Sequence, residues 1–196
     1  IPYSDKHTPS EMLEEAKASA KAQTVSVDIV VVLDSNQRGP AWARNRGLER
    51  AESRYVAFLD ADDLWKQNKL ERQLNRISKT GAGLCVEGKT RSTEEYIKSI
   101  FIGNVHSITS SILVDTNRVE VTFEESLKRL EDWLYVMEAA SEAGVCFCEN
   151  IVEIRKHDNG LSSKGSLGLI VSQLEQYGEL ALDRVPETRP HRHKFY

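Results

Sequence analysis

Tyr55-Val56-Ala57-Phe58-Leu59-Asp60-Ala61-Asp62-Asp63 passes from an apolar, strand-forming run into three carboxylates within four residues. In an extended chain, alternation brings Asp60 and Asp62 to the same side, with Cα atoms about 6.6 Å apart at a rise of ~3.3 Å per residue. Two anions at that spacing repel, and a desolvated carboxylate is costly unless it is paired, protonated or bound to a metal. Hard oxygen donors of this kind suit Mg²⁺ or Mn²⁺ better than Zn²⁺. The same residues also read as a helix start. Leu64 to Leu74 has a helical pattern, and Asp62 or Asp63 would be a favoured N-cap for it. These nine residues alone do not choose between a cation site and a cap.

The neighbouring segments set the frame. Val27-Asp28-Ile29-Val30-Val31-Val32-Leu33 is a nearly continuous β-branched run, predicting a strand buried on both faces and ending at Asp34. Gly39-Pro40 opens a helix reaching Ala51, with proline in its first turn. Before these lies Glu11 to Gln23, an Ala-, Glu- and Lys-rich helix with acids early and lysines late, complementing its dipole. The opening Ile1-Pro2-Tyr3 carries no initiator Met and reads as the last residues of a strand whose start lies upstream.

Strand, helix, strand, helix is the rhythm of an α/β fold with a mostly parallel sheet flanked by crossover helices. Ligands of such sheets sit beyond the carboxyl ends of the strands. Asp34 and the Asp60–Asp63 cluster both fall there. Further on, the pattern predicts a helix at Glu94–Phe101, a strand around Ser111–Val114 and a helix from Asp132 to Ala143 closed by Gly144. A strand from Val145 to Arg155, an amphipathic helix from Leu167 to Leu182 and a basic, mobile tail from Arg189 follow.

Composition excludes several partner classes. The 196 residues carry 26 basic and 30 acidic side chains, a formal charge of −4, so no surface for nucleic acid is expected. No apolar stretch approaches the roughly 20 residues of a membrane span, and no signal-peptide pattern opens the chain. Cys85, Cys146 and Cys148 match neither a zinc-site nor a Cys-x-x-Cys spacing. They are expected as buried free thiols in a cytoplasmic protein, with Cys146 and Cys148 on one strand face.

Val31-Val32-Leu33-Asp34, Gly39-Pro40-Ala41-Trp42-Ala43-Arg44-Asn45-Arg46-Gly47-Leu48 and Phe58-Leu59-Asp60-Ala61-Asp62-Asp63 together resemble the nucleotide-sugar half of family 2 glycosyltransferases with the GT-A fold. Leu130-Glu131-Asp132-Trp133 resembles that family's "ED" motif. Arg155-Lys156-His157 with Leu161-Ser162-Ser163 resembles its Arg-x-His…Ser segment. The likeness spans roughly residues 1–163, and four motifs in order are far more specific than an Asp-x-Asp alone.

The resemblance implies an inverting, metal-dependent transfer of a sugar from a nucleoside diphosphate, UDP favoured, to a hydroxyl of a saccharide, lipid-linked or protein acceptor. It implies Asp62 and His157 as ligands of Mn²⁺ or Mg²⁺. Pro2, Asp34, Arg44, Asn45, Asp60 and Ala61 would lie on the donor, with Asp34 at the nucleobase or, equally, a strand-end turn residue. Arg44 would reach base or diphosphate oxygens through its planar fork. Asp132 would be the general base, with Glu131 and Trp133 on the acceptor side, and Trp133 is also a natural core residue. Asp63 is left with the capping role.

One departure stands out. Only Ser35-Asn36-Gln37-Arg38 separate Asp34 from Gly39, where the family usually has a second Asp, a Gly-Ser turn and a further strand-bearing stretch. An unusually compact GT-A domain over residues 1–163 is therefore expected, its nucleotide-sugar half about 1–80 and its acceptor half about 81–163. Residues 164–196 would form a helix and basic tail that either cover the acceptor side or mediate self-association as a homodimer. The location is expected to be cytoplasmic, including the membrane surface. Two rival classes remain: a catalytically weak nucleotide-sugar binder or partner-dependent subunit, and an unrelated phosphoryl-transfer enzyme. The second lacks a Gly-rich phosphate loop.

Overall fold

The computed structural model describes residues 1–155 and 167–194. In chain order the elements are β1 (Pro2–Tyr3), α1 (Ser10–Lys21), β2 (Val32–Leu33), α2 (Pro40–Arg50), β3 (Tyr55–Ala57), β4 (Leu64–Trp65) and α3 (Lys69–Thr80). There follow β5 (Leu84–Glu87), α4 (Thr93–Phe101), β6 (Leu113–Asp115), α5 (Glu131–Ala143), β7 (Val145–Cys148), β8 (Val152–Glu153) and α6 (Leu167–Arg184). Short 3₁₀ segments occupy Thr109–Ser111 and Pro186–Lys194.

The central sheet has the order β3-β6-β5-β7. β5 and β7 run parallel, and β6 runs against both of its neighbours. β1 pairs with β2 in parallel, and β4 pairs with β8 antiparallel. The α/β expectation holds, with mixed rather than uniform strand directions. α5 and α4 pack over β5 through Leu134, Val136, Ala140, Ile97 and Ile100, all essentially solvent-free. Phe123 and Tyr135 stack in parallel at 4.1 Å, and Phe58 meets Phe123 edge-on at 5.1 Å. Tyr177, Ala181 and Val185 of the C-terminal part enter this same cluster. Gly83 brings β5 against the end of α5. A Cβ there would sit 2.4 Å from the Ala143 Cβ, so only glycine fits without a shift.

Several elements differ from the pattern, each for a tertiary reason. The run 27–33 is regular strand only at Val32–Leu33, where it pairs with β1, and Leu33 is 52% exposed rather than buried. Leu64–Trp65 is a strand rather than a helix start, since Val152–Glu153 is available to pair with it. α3 consequently begins at Lys69 behind Asn68, so neither Asp62 nor Asp63 caps it. Val145 to Arg155 is two strands separated by a turn in which Asn150 adopts φ +53°. The basic tail through Lys194 is not loose: it forms a 3₁₀ segment against α4, anchored by Thr188 with no solvent exposure.

The three thiols are buried as expected, with Cys85 opposite Cys146 across β5 and β7 and its Sγ 4.0 Å from that of Cys148. Among the described residues no helix is long and apolar enough to cross a membrane.

Candidate active site

Beyond β3 the chain turns sharply. The Asp63 N–H donates to the Asp60 carbonyl at 3.0 Å, closing a turn that exposes the carboxylate-bearing corner. One serine braces both ends of it. The Asp60 N–H donates to Ser110 Oγ at 3.0 Å, and Ser110 Oγ donates to Asp63 Oδ2 at 2.6 Å. Burial pushes the Asp63 carboxyl up to about 6, against the pull of the Ser110 bond. Asp63 is thus a buried brace of the turn rather than a helix cap.

Arg155 clasps the same turn from the other side. Its guanidinium donates to the carbonyls of Asp62 at 2.7 Å and Met12 at 3.0 Å, and it pairs with Glu15 of α1. Five fixed donors on a planar fork suit a bundle of carbonyls in a way that lysine does not.

Arg44 joins the turn to the start of α5. It donates to Glu131 Oε1 at 2.7 Å and to Asp60 Oδ1 at 2.9 Å, with its side chain only 5% exposed. Burial opposes the Arg44 charge, but the Asp60 and Glu131 carboxylates outweigh it and hold the guanidinium cationic. Its Nε has no hydrogen-bond partner among the described residues. α5 is entered through Leu130 at φ +65°, a left-handed conformation costing a non-glycine residue roughly 1 kcal/mol. That turn points Glu131 and Asp132 back toward the acidic corner.

Asp132 accepts from Thr109 Oγ1 at 3.2 Å and from the Trp133 N–H at 2.9 Å. Burial, with the Glu131 charge adding and Arg44 opposing, pushes its carboxyl up to about 7. A carboxylate so placed exchanges a proton readily near neutral pH.

The other expected residues divide. Asn45 spends its amide on the Phe123 backbone and on Glu125, which makes it a brace of the 123–125 loop rather than a donor ligand. Asp34 accepts the N–H groups of Arg38 and Gly39, both at 2.8 Å, the strand-end turn role. Pro2 lies in β1 opposite Val32, and Ala61 is buried within the turn. Trp133 meets His106 edge-on at 5.1 Å and Tyr177 at 6.2 Å, half packed and half open. His157 lies outside the described residues.

Among the described residues, no three His, Cys, Asp or Glu side chains form a ready-made metal cage. The donor set nonetheless fits Mg²⁺ or Mn²⁺, because Mg²⁺ in particular is usually held by one or two carboxylates together with substrate phosphates. Asp62, two residues after the Arg44-held Asp60, is the carboxylate that would supply such oxygens.

No motif in the sequence singles out Thr109 or Ser110. Three consecutive hydroxyls, Thr109-Ser110-Ser111, immediately before a buried strand were the available signal.

Comparison with known proteins bears on the family and the fold. The family model described as Glycosyl transferase family 2 matches residues 7–134. A Bacillus subtilis (strain 168) protein named as the teichuronic acid biosynthesis glycosyltransferase TuaG is 32% identical over an alignment of 156 residues that covers 68% of this chain and 59% of that one. This chain therefore spans less than two thirds of that relative. Among solved structures, S. aureus TarS 1–349 in complex with UDP-GlcNAc superimposes with a TM-score of 0.69 at 18% identity, over 93% of this chain and 65% of that one. The mannosyltransferase PcManGT of Pyrobaculum calidifontis, in complex with GDP-Man and Mn²⁺, superimposes at 0.67 and 15% identity, over 98% and 66%. At that identity the two structures speak for the fold. On the match of its model to residues 7–134, the chain belongs to glycosyl transferase family 2.

Proposed function

We propose that this chain carries the nucleotide-sugar site and the general base of an inverting glycosyltransferase, with a UDP-sugar the favoured donor. The observation that carries the reading is the grouping through Arg44 of Asp60 from the β3 end with Glu131, next to Asp132, from the α5 start. Donor-side and acceptor-side carboxylates are thereby held at one corner of the fold.

Asp132 takes the proton of the acceptor hydroxyl as its oxygen attacks the anomeric carbon, opposite the departing diphosphate. A single in-line displacement of this kind inverts the anomeric centre. Glu131, fixed by Arg44, keeps a negative charge beside Asp132 and so favours its protonated product state. Asp62, with His157 as the second expected ligand, would hold Mn²⁺ or Mg²⁺. Such a cation neutralises charge on the leaving diphosphate. The UDP-GlcNAc and the GDP-Man with Mn²⁺ bound by the two structural neighbours support a nucleoside-diphosphate sugar and a divalent cation here. The teichuronic acid relative supports a saccharide hydroxyl as acceptor.

A second reading, a nucleotide-sugar binder that needs a partner, is favoured by the exposure of Leu33, Leu169, Val171 and Leu174. The experiment separating them measures nucleoside diphosphate release from a panel of nucleotide sugars, with and without Mn²⁺, for the wild type and Asp132→Asn. Mn²⁺-dependent release that Asp132→Asn abolishes while donor binding persists supports catalysis. Donor binding without turnover in every arm supports the second reading.

A further inference from the structure

β5 and β7 run parallel in the register Cys85↔Cys146 and Glu87↔Cys148. Side chains alternate along a strand, so these four residues point to one face of the sheet, the face that α3 covers. All three free thiols are therefore gathered in one layer. Cys85 Sγ donates to Cys148 Sγ across 4.0 Å. Sugar transfer uses none of them.

A thiol that only fills a core has apolar neighbours, and Cys148 does not. Arg76 Nε donates to Phe147 O at 3.2 Å and Arg72 donates to Glu149 O at 2.8 Å, which fixes two guanidiniums of α3 on the carbonyls either side of it. Glu87, opposite it in register, has its carboxylate engaged by the N–H groups of Ile151 and Val152. The hydrogen bond from Cys85, with the Arg72, Arg76 and Lys69 charges, outweighs burial and holds the Cys148 thiol below the ordinary thiol range. Hydrogen bonding to Cys146 and Cys148, together with burial, holds Cys85 above it. One sulfur is disposed to ionise and its neighbour to keep a proton, the division found between a nucleophilic and a resolving cysteine. Cys148 is also the last buried residue before the exposed Glu149 and Asn150, so a molecule little larger than water has a short way in.

We propose that Cys148 and Cys85 are a site of oxidative modification by hydrogen peroxide, which closes a reversible disulfide between them. The Cys148 thiolate attacks one peroxide oxygen, an S–O bond forms as the O–O bond breaks, and the leaving hydroxide takes a proton from solvent to become water. The Cys85 sulfur then attacks the sulfenic sulfur, the S–O bond breaks, and the hydroxide leaves as a second water with the Cys85 proton. The two sulfurs give up two electrons and the peroxide takes them. Arg72 and Arg76 stabilise the Cys148 anion before the attack.

The bond has a consequence at the acidic corner. Cys85 and Cys148 are diagonal neighbours, about 8 Å apart at Cα for strands ~4.8 Å apart with a rise of ~3.3 Å per residue. A disulfide spans at most about 6.8 Å, so closing it draws the end of β7 toward Cys85 by about 1 Å. That end leads through the turn at Asn150 and β8 to Arg155, whose guanidinium holds the Asp62 carbonyl at 2.7 Å. Oxidation thus loosens the clasp on the Asp60–Asp63 turn.

The test treats the chain with hydrogen peroxide, quenches it in acid and counts free thiols in urea, before and after dithiothreitol, alongside Cys148→Ala and Cys146→Ala. The wild type is expected to lose two of its three thiols and the mass of two hydrogens, with dithiothreitol restoring both. Cys146→Ala should lose its remaining pair at the same rate, and Cys148→Ala should react at least tenfold more slowly. Amide hydrogen exchange at residues 62–63 and 151–155 should quicken at least tenfold in the cross-linked wild type, a readout that needs no donor turnover. Thiols that survive until urea unfolds the chain would be inert core filling and overturn the proposal. A disulfide mapped to Cys85 and Cys146, or a gain of oxygen without a cross-link, overturns the pairing, and the peptide map of the wild type decides this even where a variant fails to fold. Unchanged exchange at 62–63 in the cross-linked protein overturns the link to the acidic corner.

Discussion

Arg44 and Glu131, 87 positions apart in the chain, form an ion pair at 2.7 Å in which both side chains are at least nine-tenths buried. The pair locks α2 to the first turn of α5. Removing one member of a buried pair leaves the other charged and unpaired, at a cost of roughly 3–5 kcal/mol. Arg44→Met is expected to lower the urea midpoint accordingly, and adding Glu131→Gln should recover part of the loss. Arg44→Lys should keep most of the stability yet reduce donor turnover at least tenfold, because an ammonium cannot bridge Glu131 and Asp60 as a planar fork does. Unchanged turnover in Arg44→Lys would dismiss the bridge as a functional device.

Asp132 is expected to impose an ascending limb on kcat/KM, with activity rising as pH passes through about 7. Asp132→Asn should lower kcat by 10²-fold or more and erase that limb. The stability sign runs the other way from the usual carboxylate. The folded state keeps this proton up to about 7, whereas the unfolded chain loses it near 3.8, so stability falls as pH rises between those values. Asp132→Asn should flatten that decline in denaturant titrations.

Thr109 favours the ionised form of Asp132 by donating to Oδ2. Thr109→Val is expected to move the kinetic limb upward by about one pH unit, since loss of a donor to the charged form raises a carboxyl pKa. Thr109→Ser should restore it. An unmoved limb in Thr109→Val would show that the hydroxyl has no influence on the base.

Asp62 and Asp63 should separate cleanly in a Mn²⁺ titration of turnover. Asp62→Asn is expected to raise the half-saturating Mn²⁺ concentration at least tenfold. Asp63→Asn should act mainly on stability, because its carboxylate is already engaged by Ser110. Equal metal effects would remove the assignment of Asp62.

Gln73 is fully buried and ties α3 to two other elements, donating to Cys85 O at 3.0 Å and Ser111 O at 2.7 Å while accepting from Lys69 at 2.6 Å. Gln73→Leu strands two carbonyls and a buried amine, with an expected loss of about 3–9 kcal/mol at roughly 1–3 per unsatisfied group. Urea unfolding measures it, and a loss below 1 kcal/mol would contradict the bracing role.

Local signals carried much of the architecture. Pro40 after Gly39 and Gly144 after Ala143 placed the bounds of α2 and α5 to within a residue or so, because capping and left-handed backbone are properties of a few adjacent residues. The motif order placed Asp60, Asp62 and Asp132 at the ends of elements that converge.

Pairing across the fold was another matter. Leu64–Trp65 became a strand only because Val152–Glu153 lies beside it. Residue roles followed the same division. By residue type and motif, Arg44 reads as a ligand for base or diphosphate oxygens and Asn45 as a donor contact. Three-dimensional proximity instead gave Arg44 two carboxylates and Asn45 the backbone of Phe123. The sequence by itself determined the helices with clear end signals and that acidic groups cluster after the β3 run, since propensity and capping are local. Only the tertiary structure decided which charges pair and which carboxyl is lifted toward neutral pH, since desolvation and Coulomb energy depend on neighbours far away in the chain.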